Sequence, residues 1–518
     1  MEAPAKNRRA GKPKVRTGCL VCKTRKVKCD ESKPECNRCK KLEIGCRYTP
    51  PQTLTLVPKS TVSFVPIRPR QAIGQNPSSS IPGDESEHRY FQLFQEKLSY
   101  DLCGYFETPF WTHLIPQECH HEPAVRHAIF ALSALYKSSA SRTGTIRAND
   151  EHMDFALVQH SKAIGCFRKS LSKEQPQVRL ALLASLLFGC FESFHGNWET
   201  ASQQIHSGLN ILGQWERSKL KGKPTRSIIA IDSELGVALT RLQLQLESYL
   251  AMNPMNEYPL GELENPKVGE YPPARFANLA EAFPFALSFA TCAIQHSRKA
   301  TRYLSIEAHQ KDLERERDTI CDYALQWKKA FRPLILETES GYHFQRRDYC
   351  GILQLHICVM GFEIMLHTSL SREESVFDHY TEQFSRMVVL CRRLFELDNE
   401  SRKSDYLKAQ FGLGLIMTIY YVATRCRDSV IRRDAIFILR QWPTKNGIWD
   451  SLQAAQVAEW IMGIEEEAAC GKENIPEEAR VRMNSLKVTR HKGGFDVECI
   501  QGHTDGVWRP RKATLDCW

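Results

Sequence analysis

Six cysteines fall within 28 residues near the start of the chain: Cys19, Cys22, Cys29, Cys36, Cys39 and Cys46. Their spacing, C-x2-C-x6-C-x6-C-x2-C-x6-C, is one C-x2-C-x6-C unit repeated after 17 residues. A segment this short cannot bury enough apolar surface to fold unaided, so a cross-link must hold it. Metal and disulfides are the two candidates.

The rest of the 518-residue chain favours metal. Its length suits one or two large domains plus tails. The first twenty residues are rich in Lys and Arg with no apolar segment, so no secretory leader is expected. The longest apolar runs, Leu180–Phe191 and Phe411–Thr424, read as too short for a bilayer span and as helices buried in a large core. Without an export route the other 13 cysteines are expected to be reduced thiols. The N-terminal six then read as thiolate metal ligands, with disulfides as the alternative.

Charge is distributed unevenly. Residues 1–50 hold 15 of the 70 Lys and Arg but 5 of the 60 Asp and Glu, a net of +10. The remaining residues carry 55 of each sign, so the whole positive excess sits on the cysteine module and its arm. A small basic head on a large neutral body points to a polyanion as partner.

Zinc takes four tetrahedral ligands and favours thiolates in structural sites. Six sulfurs complete two zinc sites if two of them bridge both metals. The repeat makes the bridging pair Cys19/Cys36, Cys22/Cys39 or Cys29/Cys46, and spacing alone does not choose among them. The two units differ in charge. Cys22-Lys23-Thr24-Arg25-Lys26-Val27-Lys28-Cys29 aligns with Cys39-Lys40-Lys41-Leu42-Glu43-Ile44-Gly45-Cys46, so Arg25 faces Leu42 and Lys26 faces Glu43 in the comparison. Val27 and Ile44 match, as equivalent packing positions would. One half is expected to meet DNA and the other to complete the scaffold. A short helix over 20–28 would present its amino-terminal end to the major groove, where Lys and Arg donate to guanine O6 and N7. Lys14, Arg16, Lys23 and Lys28 are the expected phosphate contacts.

Residues 17–48 resemble the fungal binuclear zinc-cluster DNA-binding domain, through the six cysteines, the Arg25-Lys26-Val27-Lys28 block and Pro34 between the halves. The resemblance implies two Zn(II) ions, with Cys19 and Cys36 as the bridging thiolates. It also implies that Arg25 and Lys26 stand where the family reads a CGG triplet. The segments 6–9 and 12–16 are basic enough for nuclear import, and a nuclear protein is expected.

From Thr49 to His88 the chain has seven prolines and a Ser78-Ser79-Ser80 run, the composition of a semi-extended tether. Many family members dimerise through a coiled coil directly after the cluster. No a/d apolar repeat can be drawn here, so any dimer is expected to form elsewhere.

Helical periodicity then takes over. Phe91, Phe94, Leu98 and Leu102 form one stripe after Asp84-Glu85, and Pro123 opens a helix carrying Ala124, Ala128, Ala131 and Leu135. Ile205, Leu209 and Leu212 repeat the pattern, as do Phe384, Val388, Cys391 and Phe395. Asp450-Ser451 signals a helix start before Leu452–Met462. Residues 89–252 and 434–467 resemble the helical regulatory region of fungal zinc-cluster transcription factors, through Glu122–Ala128 and Ala131–Leu135, His195-Gly196-Asn197-Trp198-Glu199, Arg433–Ile436 and Gly447–Asp450. The fold is expected to be mainly α: a six-cysteine, two-zinc cluster plus a large all-α body.

No enzyme motif emerges. His120-His121-Glu122 lacks HExxH spacing and runs into Pro123, Gly412-Leu413-Gly414 suits close helix packing, and Gly502–Gly506 suits a surface turn. Trp198 and Trp449 are expected to fill the core. Glu465–Glu467 with Glu473, Glu477 and Glu478 forms an acidic run expected at a solvated helix end, with coactivator contact as the alternative. The expected organisation is a basic arm (1–16), zinc cluster (17–48), linker (49–88), helical regulatory domain (89–467) and a weakly ordered tail (468–518). The expected function is a sequence-specific transcription regulator of RNA polymerase II genes that meets double-stranded DNA and coregulators. The alternative is a helical scaffold whose head anchors nucleic acid without sequence preference.

Overall fold

The computed structural model describes residues 19–25, 27–46, 81–106, 109–140, 150–172, 178–219, 226–255, 270–339, 345–401, 408–410, 413–472, 474–491, 494–502 and 507–516. Lys14, Arg16, Lys26, the linker from 49 to 80, Glu473 and 503–506 therefore lie outside the described residues, and the side chain of Lys23 is likewise not described. The chain divides into two compact units, Met1–Asn76 and Pro77–Trp518.

The first unit contains two short helices, α1 (Leu20–Thr24) and α2 (Asn37–Lys40). Its interior is sulfur: Cys19, Cys22, Cys29, Cys36 and Cys39 are buried, with Val21 and Cys46 packed against them.

The second unit is a helical body. Its helices are α3 (Glu85–Leu93), α4 (Ser99–Cys103), α5 (Ile115–His121), α6 (Pro123–Ala140), α7 (Glu151–Leu171), α8 (Val178–His195), α9 (Trp198–Lys219) and α10 (Arg226–Met252). They continue with α11 (Leu279–Tyr303), α12 (Glu307–Glu339), α13 (Arg346–Thr368), α14 (Thr381–Ser401), α15 (Leu415–Arg425), α16 (Ser429–Gln441) and α17 (Ser451–Ala468). One continuous apolar core runs from Ile81 to Cys499. Ile81 is buried and α3 is already under way at Glu85, so the body starts before the expected boundary at 89.

The start signals work as their chemistry demands. The Asp84 carboxylate accepts from the Glu87 N–H while Glu87 accepts from the Asp84 N–H, a reciprocal capping box. Pro123 takes the first position of α6, where its missing N–H costs nothing. Asp450 accepts from the N–H groups of Leu452 and Gln453 at the start of α17. The His195–Glu199 segment is a tight joint: Gly196 sits at φ 91, a left-handed conformation suited to glycine, and lets α8 turn into α9. Gly414, at the start of α15, packs so closely on the Asn446 side chain that a Cβ would not fit, but that neighbour lies on the strand Thr444–Asn446 rather than on a helix as expected.

α8 and α13 are each long and apolar enough to cross a membrane by length and composition. Most of each apolar window is instead buried among neighbouring helices, 72% and 78% respectively. Trp449 is buried and donates its indole N–H to Ser248, whereas Trp198 is only partly buried against the core.

The C-terminal region departs from expectation. In place of a weakly ordered tail, β4 (Val481–His491), β5 (Gly494–Gly502) and β6 (Trp508–Asp516) form an antiparallel sheet with β5 in the centre. Val481, Met483, Leu486, Val488, Phe495, Val497 and Cys499 turn one face of it into the common core. A second small sheet joins β1 (Lys408–Gln410), β2 (Thr444–Asn446) and β3 (Trp449–Asp450), the last two linked by a turn with Gly447 at φ 58.

The acidic run is only partly a solvated end: Glu467 and Glu478 are exposed, but Glu465 turns inward. Glu465 is fully buried and accepts from Arg427 (2.9 Å), Arg432 (2.7 Å) and the Val481 N–H (2.7 Å). Glu374 holds Arg425 and Arg427 and accepts from the Met483 N–H, while Arg480 pairs with Asp378. Glu477 accepts from the N–H groups of Glu374 and Ser375. This ionic hub ties β4 to α15, α16 and α17. Burial alone would raise the Glu465 carboxyl pKa, but the two guanidiniums outweigh it and hold it down at about 2.

Candidate zinc centre and nucleic-acid interface

The head is built twice over from one plan. The Cys22 N–H donates to Cys19 Sγ at 3.4 Å, and the Cys39 N–H donates to Cys36 Sγ at 3.4 Å. The Cys19 N–H donates to Cys29 Sγ at 3.4 Å, and the Cys36 N–H donates to Cys46 Sγ at 3.3 Å. The Val27 N–H donates to the Cys22 carbonyl and the Ile44 N–H to the Cys39 carbonyl, each at 3.1 Å. All three pairs are related by the 17-residue shift. Val27 and Ile44 are thus equivalent as expected, but at the rim rather than inside: they are 36% and 41% exposed.

The sulfurs converge. Cys19 Sγ lies 3.7 Å from Cys36 Sγ and 3.8 Å from Cys39 Sγ, and Cys22 Sγ lies 3.7 and 4.0 Å from the same two. A tetrahedron with zinc–sulfur bonds of about 2.3 Å has edges of about 3.8 Å, so these separations are those of a zinc thiolate shell. The sulfur of Cys29 also comes within 4.8 Å of that of Cys36. The cysteines are free of disulfides.

Electrostatics gives the same picture. Burial drives the Cys22 thiol up to about 12, aided by the sulfurs of Cys19 and Cys36, and Cys39 is raised for the same reasons. At Cys46 the Cys36 N–H favours the thiolate, but burial and neighbouring sulfurs outweigh it and the thiol is raised. Cys19 and Cys36 are lowered: burial opposes ionisation, yet the N–H donors of Cys22 and Cys39 and the adjoining thiols overcome it. So many thiols in one small volume cannot all ionise without cations among them. Two divalent ions would leave six thiolates at a net of about −2, within reach of a basic surface. The donor set therefore fits two zinc ions.

Asp30 braces the two halves. Its carboxylate accepts from the Ser32 hydroxyl and, at 3.0 Å, from the Asn37 N–H at the start of α2. The Ser32 and Asn37 donors hold its pKa down at about 2. Glu31 at φ 62 and Glu43 at φ 51 turn the chain sharply around the sulfurs. Neither Asp30 nor these turns was singled out from sequence; the Cys29-Asp30 pair just before the second repeat was the available signal.

α1 is shorter than the expected 20–28 helix. It ends at Thr24 because Cys22 and Cys29 must both turn inward, so Arg25 follows the carboxyl-terminal end of the helix. Its amino-terminal end is tied to the sulfur cage through Cys19. Arg25 and Lys28 are exposed.

Comparison with known proteins agrees with this chemistry. Residues 17–54 match the fungal Zn(2)-Cys(6) binuclear cluster domain, which binds two zinc ions. Beyond this domain the chain is similar to proteins named as fungal transcription regulators. It is 23% identical to the Aspercryptin biosynthesis cluster-specific transcription regulator atnN of Emericella nidulans, with 93% of this chain and 95% of that protein covered. It is 29% identical to the Zn(2)-C6 fungal-type transcription factor afumD of Aspergillus fumigatus over 29% of this chain and 41% of that one. It is 26% identical to the Transcription regulator lscL of Purpureocillium lilacinum over 38% and 48%. No solved structure matches the chain.

Proposed function

We propose that this chain is a nuclear, sequence-specific regulator of RNA polymerase II genes whose zinc head reads a CGG-containing element in the major groove. All six N-terminal cysteines are the ligands, with Cys19 and Cys36 shared between the ions. Both accept an N–H from the next cysteine of their unit, and their sulfurs stand 3.7 Å apart. Zinc supplies no reaction here; it supplies the folding free energy of a segment with almost no apolar core.

Arg25 and Lys26 read bases, and Lys14, Arg16, Lys23 and Lys28 contact phosphates. The observation that carries this reading is the asymmetry of an otherwise repeated scaffold. Two halves with matched hydrogen bonds differ in having a basic block after α1 and Leu42-Glu43 at the same register after α2. Scaffolding alone does not call for that difference. The net +10 confined to residues 1–50 supports DNA as the partner.

The helical body restrains or releases the head and meets coregulators; a dimer, where one forms, does not use a coiled coil after the cluster. The end-to-end similarity to a regulator named for one biosynthesis cluster supports a defined set of target genes. A random-sequence selection with the full-length protein tests the reading. Wild type is expected to enrich CGG, and Lys26→Ala to weaken that site by about 1–3 kcal/mol and relax the triplet. No enriched motif would leave only non-specific anchoring.

A further inference from the structure

The helical body holds a cavity of about 380 Å³ between α10 and α11. It is a cleft half open to solvent rather than an enclosed void, and small-molecule clefts span about 300–1,000 Å³. Its position follows from helix register. Val237 and Thr240 share a face of α10, while Pro284, Ser288, Thr291 and Gln295 recur every three or four residues on α11. Val237, 39% exposed, and Pro284 stand at the mouth. Phe283, Leu287 and Cys292 are buried and make the wall apolar.

The polar groups in the wall specify a ligand. The Thr240 hydroxyl donates to the Gly236 carbonyl and the Thr291 hydroxyl to the Leu287 carbonyl, each at 2.9 Å. Ser288 is engaged with the Tyr323 hydroxyl, and the Gln295 amide with the buried Glu247 carboxylate. The hydroxyl protons of Thr240, Ser288 and Thr291 are committed elsewhere, so what these three turn toward the cavity is lone pairs, while the Gln295 amide adds its carbonyl and a second N–H. No charged side chain among the described residues lines it.

We propose that this cavity is a binding site for a neutral, mainly apolar small molecule carrying a hydrogen-bond donor, such as an alcoholic or phenolic hydroxyl. The ligand's body replaces missing packing on Phe283 and Leu287, and its O–H satisfies an acceptor on Thr240, Ser288, Thr291 or Gln295. The inference rests on the body alone and is independent of how the head reads DNA.

The test uses the full-length protein, with 4-propylphenol and its methyl ether, 4-propylanisole, as probes in titration calorimetry. Saturable one-site binding of the phenol is expected, with the ether about tenfold weaker because it brings no donor. Val237→Trp, at an exposed position that leaves the core intact, is expected to block the mouth and weaken phenol binding at least about tenfold. Thr240→Val/Thr291→Val is expected to shrink the preference for phenol over ether. Phenol binding should survive removal of zinc by a chelator, which separates this site from the head. Non-saturable uptake, equal affinity for phenol and ether in the wild type, or undiminished binding to Val237→Trp would overturn the proposal.

Discussion

Replacing Glu465 with alanine removes the centre of the ionic hub. Arg427 and Arg432 would remain buried at 8% and 1% exposure without the carboxylate they share, and the Val481 N–H would lose its acceptor. Breaking a buried ion pair from one side costs about 3–5 kcal/mol, and part of the orphaned N–H penalty adds to it. Glu374 still faces Arg427, which offsets the orphaned N–H, so the middle of that range, about 4 kcal/mol, is the better expectation. Unfolding entropy near 2 cal/mol/K per residue over Pro77–Trp518 makes each kcal/mol worth about 1 °C of melting temperature. Glu465→Ala should therefore lower the midpoint of the body by about 4 °C in differential scanning calorimetry. The neighbouring Glu466→Ala loses only a partly exposed pair with Arg433 and should shift it by under about 1 °C. Equal effects from the two substitutions would refute the hub as a stabilising joint between β4 and the bundle.

Two further outcomes follow from the same structure. Because the folded Glu465 pKa lies at about 2 against an ordinary value of 4.5, its contribution is intact above pH 4.5 and disappears as pH falls toward 2. Melting temperature should thus drop through that window, and less steeply in Glu465→Gln; parallel profiles would contradict the assignment. Chelation of zinc should abolish DNA binding while leaving the far-ultraviolet helix signal and the body's melting temperature nearly unchanged. Among the described residues the head contributes only the short helices Leu20–Thr24 and Asn37–Lys40, so a large loss of helicity would contradict two compact units.

The head was legible from sequence because its information is local: ligand chemistry fixes the residue type, and the 17-residue repeat fixes its duplication. The reach of α1 was not, since it depends on where the chain must turn to return Cys29 to the cage. In the body, stripes such as Phe91, Phe94, Leu98 and Leu102 announce helices because burial on one face imposes their period. The C-terminal sheet was hidden by a register shift between Arg482 and Lys487. Val481 and Met483 alternate inward, then Leu486 and Val488 do so one step out of phase, which erases a period of two. β6 concealed itself differently: it is a mostly exposed edge strand carrying Pro510, so it has little apolar alternation to read. Glu465 looked like one of several surface acids because its partners lie 38 and 33 residues away in the chain.

The proposed reading of DNA depends on metal organising the six sulfurs. Native mass spectrometry of the full-length protein, purified without chelator, measures that directly. The account predicts two zinc ions per chain with all six N-terminal cysteines free of disulfides, and simultaneous loss of both ions on Cys19→Ser or Cys36→Ser. A single ion, no ion, or intact S–S bridges among those cysteines would contradict it.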